Sequence, residues 1–154
     1  MKSPLLLAVA IATLSACTTY SAPPPYGASG YATNLITTGN KAPFGTFLVD
    51  ASGRSVYVLD GSRGQTGFNR CSGACLNEWP PVRATAPLQP GPALDPVRLT
   101  TVAGPAGPQA AYDGWPLYYF DEDRAPGDTR GQGVRDEWGY WTLVAPNGAQ
   151  IRSY

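Results

Sequence analysis

The sequence predicts an all-β fold: a hairpin-built domain made of two related repeats, preceded by a signal peptide and a flexible linker. Three observations carry this. Of 154 residues, 18 are Gly and 16 are Pro, and both break long helices, Gly through backbone entropy and Pro through its missing N–H. Runs of β-branched and aromatic residues alternate with turn-forming Asp-Gly and Asn-Gly pairs. A hairpin, polar loop and tryptophan pattern occurs twice, with Tyr57 and Tyr118 as matching positions. The chain is 43% hydrophobic and 11% aromatic, enough to build a packed core rather than a disordered chain.

The elements follow in chain order. Lys2, an apolar run over residues 5–11 and small residues before Cys17 form an export signal over residues 1–16, too short to span a bilayer. Leu14-Ser15-Ala16-Cys17 resembles the bacterial lipobox. That resemblance implies cleavage before Cys17, a diacylglyceryl thioether on its sulfur and an acyl chain on its amine. One acyl chain holds a protein only marginally, whereas two signals anchor it stably. With Thr18 rather than Asp after the cysteine, sorting rules favour the outer membrane in a cell that has two. Residues 17–43 are read as the lipidated Cys and a disordered linker, rich in Pro, Gly, Ser and Ala, with Tyr20, Tyr26 and Tyr31 along it. About 25 such residues span roughly 25–30 Å, enough to lift a domain off a membrane surface.

Residues 44–154 form the β-rich domain, with copies at about 44–82 and 108–145. Residues 46–49 and 55–59 flank a turn over 50–54 and predict a hairpin. The same grammar recurs at 109–112 and 116–120 around Asp113-Gly114, and at 141–144 and 150–152 around Pro146-Asn147-Gly148. Residues 97–102 predict a further strand, and residues 73–78 one short helical turn. Segments 61–78 and 121–139 read as polar connections. The repeat sets Asn77-Glu78-Trp79-Pro80 against Asp136-Glu137-Trp138-Gly139, and so aligns Trp79 with Trp138. In the strand at 116–120, Tyr118 and Phe120 share one face and Tyr119 takes the other.

These residues resemble a family of predicted bacterial lipoproteins marked by a Tyr-x-[Phe/Trp/Tyr]-x-x-Asp motif and described as a secreted repeat. The second copy carries the motif as Tyr118, Phe120 and Asp123, followed by Pro126-Gly127-Asp128 and Gly131-Gln132-Gly133. The first copy departs from it, with Leu59 and Ser62 at the aromatic and Asp positions, but keeps Cys71-Ser72-Gly73-Ala74-Cys75 and Trp79-Pro80-Pro81. The resemblance covers about residues 44–150. It implies an envelope location and a repeat fold, and supplies no activity. Asp123 is expected to be a structural anchor one turn past the strand end.

Composition excludes several chemistries. The chain has no His, and its one Met is the initiator. Ser-His-Asp and Cys-His nucleophiles, His-ligated zinc, type-1 copper and haem held by His or Met are therefore unavailable. A formal net charge of +0 gives no electrostatic case for nucleic acid. Cys71 and Cys75 remain once Cys17 is lipidated, and an even remainder in an exported chain reads as a disulfide. A redox pair and a thiolate metal site stand as alternatives. Asp121, Asp123 and Asp128 could offer oxygens to Ca²⁺, although the EF-hand spacing fails; the competing reading has these carboxylates capping turns and pairing with Arg124, Arg130 or Arg135. Asp60, Asp121, Asp123 and Glu137 are nominal glycosidase carboxylates. Gly131-Gln132-Gly133 lacks the phosphate-loop pattern and reads as a flexible turn. Trp115, Tyr119, Trp79 and Trp138 are candidate ligand-facing aromatics, set against the core's own need for large side chains.

The expectation is thus a non-catalytic, lipid-anchored envelope module with no cofactor. Its expected partners are the membrane, through the lipid, and an envelope protein or polysaccharide. The alternatives are a redox accessory using Cys71 and Cys75, or a Ca²⁺-binding module.

Overall fold

In a computed structural model the chain is described over residues 34–65 and 71–152. The signal peptide, Cys17 and the three linker tyrosines lie outside the described residues. The fold is strand-dominated. Among the described residues the strands are β1 (Leu35–Lys41), β2 (Gly45–Asp50), β3 (Tyr57–Leu59), β4 (Gln89–Pro90), β5 (Leu99–Gly104), β6 (Gly107–Tyr112), β7 (Trp115–Pro116) and β8 (Trp141–Leu143). A four-residue helix, α1 (Cys75–Glu78), lies where the short turn was predicted.

Strand β1 corrects the linker boundary. Residues 35–41 were read as tether, yet they pair antiparallel with β2 from Ile36↔Asp50 to Lys41↔Gly45. The unit that contains them runs from Tyr31 to Tyr154. Leu35-Ile36-Thr37-Thr38 has the β-branched character of a strand, but the Gly and Asn after it hide the signal. The predicted strand at 97–102 also shifts: residues 96–98 form a 3₁₀ turn capped by Asp95, and β5 begins at Leu99.

The hairpin at Asp113-Gly114 forms as predicted. Both residues take positive φ, 49° and 80°, as a two-residue turn requires for its twist to match the strands. Tyr112 pairs with Trp115. The Asn147-Gly148 hairpin also closes, through Ala145 N–H to Ala149 O at 2.8 Å and Ile151 N–H to Leu143 O at 2.9 Å. The first hairpin forms only at its base: Val49 bridges Ser55, and Val56 N–H reaches Leu48 O at 3.2 Å. Beyond that point β3 leaves β2 and pairs antiparallel with β8, in the register Tyr57↔Leu143 to Leu59↔Trp141.

The two copies are related by a pseudo-two-fold. Its axis passes between Tyr57 and Tyr118, which exchange both backbone hydrogen bonds, at 2.8 and 2.9 Å. Equivalent contacts repeat on either side. Leu48 N–H donates to Val144 O, and Ala110 N–H donates to Val82 O. Tyr57 lies opposite Leu143, and Tyr118 opposite Pro81. This register makes Trp141, not Trp138, the counterpart of Trp79. Each copy is completed by a segment from the other, β8 lying on β3 and residues 81–83 on β6 and the strand end after β7.

Two hydrophobic clusters lie on opposite faces of the central strands. Leu48, Val56, Val58 and Leu117 belong to one; Phe47, Val49, Tyr57, Leu59, Tyr118 and Phe120 belong to the other. The period-2 alternation therefore separates two cores, rather than a core from solvent.

Candidate functional site

At the centre of the second cluster the repeat brings its aromatics together. Trp79 and Trp141 stack with ring centroids 4.0 Å apart and planes 6° from parallel. Tyr57 meets Trp79 edge-on at 5.7 Å, and Tyr118 meets Trp141 edge-on at 5.3 Å. The two edge contacts are pseudo-symmetric, and edge-to-face geometry suits the ring quadrupoles. Phe120 stacks on the outer side of Trp79 at 4.4 Å.

One carboxylate clamps the stacked indoles. Asp136 Oδ2 accepts from Trp79 Nε1 at 2.9 Å and from Trp141 Nε1 at 2.8 Å. Its Oδ1 accepts the backbone N–H of Trp138 and of Gly139, both at 2.9 Å. Four donors on one carboxylate satisfy two indole N–H groups that would otherwise be costly to enclose. Sequence reasoning placed Asp136 in the repeat but assigned it no role.

Motif residue Asp123 is also fully engaged. Its Oδ2 accepts the Tyr57 hydroxyl at 2.7 Å and its Oδ1 the Arg130 amide at 2.9 Å. Burial pushes its carboxyl above the usual range, against the lowering effect of the Tyr57 hydrogen bond and the Arg130 amide. Burial, and then the Asp123 charge, push the Tyr57 phenol far up. Asp123 thus anchors the second copy's loop to the first copy's tyrosine. Its positional counterpart Ser62, also buried, turns back onto its own strand through Leu59 O at 2.7 Å.

Residues 131–133 form a turn, as read from the sequence, but Gly131 and Gln132 tie it into the packed interior. A Cβ on Gly131 would lie 2.9 Å from Tyr57 Cζ and 3.0 Å from both Phe120 Cβ and Trp79 Cη2. The Gln132 amide ties β8 to the chain after the last hairpin, accepting from Leu143 N–H and donating to Ile151 O, each at 2.6 Å.

Two of the expected ligand-facing aromatics are enclosed. Trp79 is fully buried in the stack and Trp115 is 8% exposed, its Nε1 donating to Gly148 O at 3.1 Å. Trp79 shares its cluster with Tyr118 and Phe120, and Trp115 is enclosed because the opposite face is also a packed core. The unbroken apolar runs 56–59 and 117–120 were the available signal, because strands buried on both faces lose polar alternation. Tyr119 is half-buried under the Arg54 guanidinium, 4.2 Å from its ring centre, and its hydroxyl donates to Asp50 Oδ2 at 3.0 Å. Trp138 is half-buried against the second cluster. Nearby, Arg135 stacks 4.0 Å over the half-buried Tyr140.

The acidic loop is built of caps. Asp128 Oδ2 accepts the Arg124 and Ala125 amides at 2.9 and 3.1 Å, and the Arg124 amide above all holds its carboxyl below the usual range. Among the described residues no three Cys, Asp or Glu side chains converge on a point that could hold a metal ion, so Asp121, Asp123 and Asp128 are not brought together. Glu78 faces Asp136, Asp121, Glu122 and Glu137, and its carboxyl is raised by burial and then by their charges. Asp60, the residue after β3, pairs with Arg152 at 3.1 Å.

Cys71 and Cys75 form a disulfide with Cα atoms 5.1 Å apart. Gly73 between them has a φ of 57°, which supplies the departure from helical geometry that the linkage needs. Both cysteines are fully buried in the second cluster.

No curated protein matches the chain, and no solved structure does. Residues 100–145, which run from β5 to just past β8 and hold Tyr118, Phe120, Asp123, Asp136 and Trp141, match the Lipoprotein_15 family model, a secreted repeat of unknown function.

Proposed function

We propose that this is an exported, lipid-anchored envelope protein whose β domain is a non-catalytic binding or structural module. The observation that supports it is the engagement of the motif itself. Tyr118 and Phe120 lie in the core, and both oxygens of Asp123 are taken by internal donors. A carboxylate with both oxygens held by internal donors, just past a strand end packed on both faces, is poorly placed to act on a substrate. The matched family's description as a secreted repeat supports export. Anchoring through a diacylglyceryl thioether at Cys17, and an outer-membrane location where two membranes exist, complete the reading. Mass spectrometry of the mature N-terminus should show the thioether; an unmodified sulfur behind an intact leader would overturn the anchor.

Recognition is then a task for the surface. The half-buried Trp138, Tyr140 and Tyr119, two of them lying beside or beneath arginines, offer faces that suit an envelope protein or polysaccharide. Chemical cross-linking of intact cells should give a discrete adduct with the full-length chain, lost on Trp138→Ala with Tyr140→Ala. An unchanged adduct, or turnover of an envelope substrate, would overturn the reading. The redox alternative needs a sulfur open to attack; full burial of both cysteines favours a staple.

A further inference from the structure

Strand β5 is the outer strand of the β5-β6-β7 sheet. Arg98 O accepts from Asp113 N–H at 2.8 Å, and the register pairs Thr100 with Ala111 and Val102 with Gln109. Residues 98, 100 and 102 therefore turn their backbone groups inward to β6, and Leu99, Thr101 and Ala103 turn theirs outward. Consistent with this, Ala110, opposite Thr101, directs its own N–H and C=O away from β5, to Val82 and Leu117.

The outward edge lacks the usual protections. Residues 99–107 contain no charged side chain and no Pro within the strand, whereas edges that stay unpaired carry Lys, Pro or bulges. The pseudo-two-fold sharpens the contrast. The equivalent strand β1 is covered at its end by β4, through Leu35↔Gln89 and Ile36↔Pro90. In the second copy the corresponding tail folds back on β8 instead, through Val144↔Gln150. A shallow, largely apolar depression of about 370 Å³ lined by Thr101, Val102, Ala103, Gly104, Gly107 and Pro108 lies beside the edge.

We propose that β5 pairs with β5 of a second copy of this chain, antiparallel about a two-fold axis at Thr101. The edge is complementary to itself. Thr101 exchanges both hydrogen bonds with its own copy, and Leu99 lies opposite Ala103. The exposed Thr100 meets Val102, a β-branched cross-strand pair. With no charge along the strand, the two copies meet without repulsion, and two three-stranded sheets become one of six.

In a hydrogen-bonded antiparallel pair the facing Cα atoms are about 5.5 Å apart, within disulfide reach. Thr101→Cys in the full-length exported chain should therefore give, under mild oxidation, a reducible species of twice the chain mass that the parent chain lacks. Sedimentation of the parent chain should show a dimer. Thr101→Pro removes only an outward N–H, so it should halve the sedimenting mass and leave the melting temperature of the monomer fold in place. Thr101→Lys serves the same purpose should the Pro variant fail to fold. A monomeric parent, a Thr101→Cys adduct to a different protein, or dimers unchanged in both variants would each overturn the proposal.

Discussion

At the scale of single residues, three carboxylates, the buried Asp123 and the half-buried Asp128 and Asp136, tie loops to the core, and they make distinct predictions. Asp123 joins the copies through the Tyr57 hydroxyl. Its carboxyl is raised by burial, so the folded state binds that proton more tightly than the unfolded chain does. Its contribution to stability is fully present below the ordinary carboxyl value of about 3.9 and is lost as pH rises through the folded value. Asp128, held low by the Arg124 amide, contributes in the opposite sense: present above about 3.9 and lost as pH falls through its folded value. Tyr57→Phe removes a hydrogen bond that lowers Asp123. Urea unfolding across pH should show the Asp123-linked decline displaced to higher pH, with a general loss of about 1–2 kcal/mol from the unpaired carboxylate oxygen. A profile that overlays the parent's would refute this linkage. Asp136→Ala strands two buried indole N–H groups, and a loss of about 3 kcal/mol is expected, with a shift in tryptophan fluorescence at unchanged strand content.

At the scale of elements, packing decides what a segment can tolerate. Gly131 has no room for a methyl group against Tyr57, Phe120 and Trp79, so Gly131→Ala should cost about 1–3 kcal/mol as an overpacked core. Thermal melting checks it; a neutral substitution would show that the loop yields freely. Replacing Cys71 and Cys75 together by Ser should cost roughly 2 kcal/mol by loop entropy, with the β fold retained by circular dichroism. These elements differ in how legible they are in sequence. Asp113-Gly114 and Asn147-Gly148 announce their hairpins because only a few residues accept positive φ. The Cys-x-x-x-Cys turn is equally local. By contrast, β1 was missed because its partner β2 gives it meaning and its own second half is Gly-Asn-Lys. The interrupted first hairpin was missed because β3 takes β8, some 80 residues away in the chain, over its neighbour β2. Asp136 was legible as a repeat residue but not as a clamp, since one of its two indoles, Trp79, lies 57 residues away in the chain.

At the scale of the whole molecule, the two copies are interlocked rather than stacked. In an array of independent repeats each unit contacts its neighbour and can unfold in sequence. Here β8 of the second copy completes the first, residues 81–83 of the first complete the second, and Tyr57 bonds Tyr118 across the axis. Neither copy can close its sheet or bury its tryptophan without the other. Unfolding should therefore be a single transition, with far-UV dichroism and tryptophan fluorescence giving coincident curves, the mark of two-state behaviour. The stacked indoles allow a stricter test. Trp79→Ala and Trp141→Ala each remove a buried aromatic and should each cost about 3–5 kcal/mol. Because each indole is the other's packing partner, the double variant should fall short of the sum by about 0.5–3 kcal/mol, the range for residues in contact. Strict additivity, or one copy melting ahead of the other, would mean that the halves are merely adjacent and that the exchanged strands contribute little to holding them together.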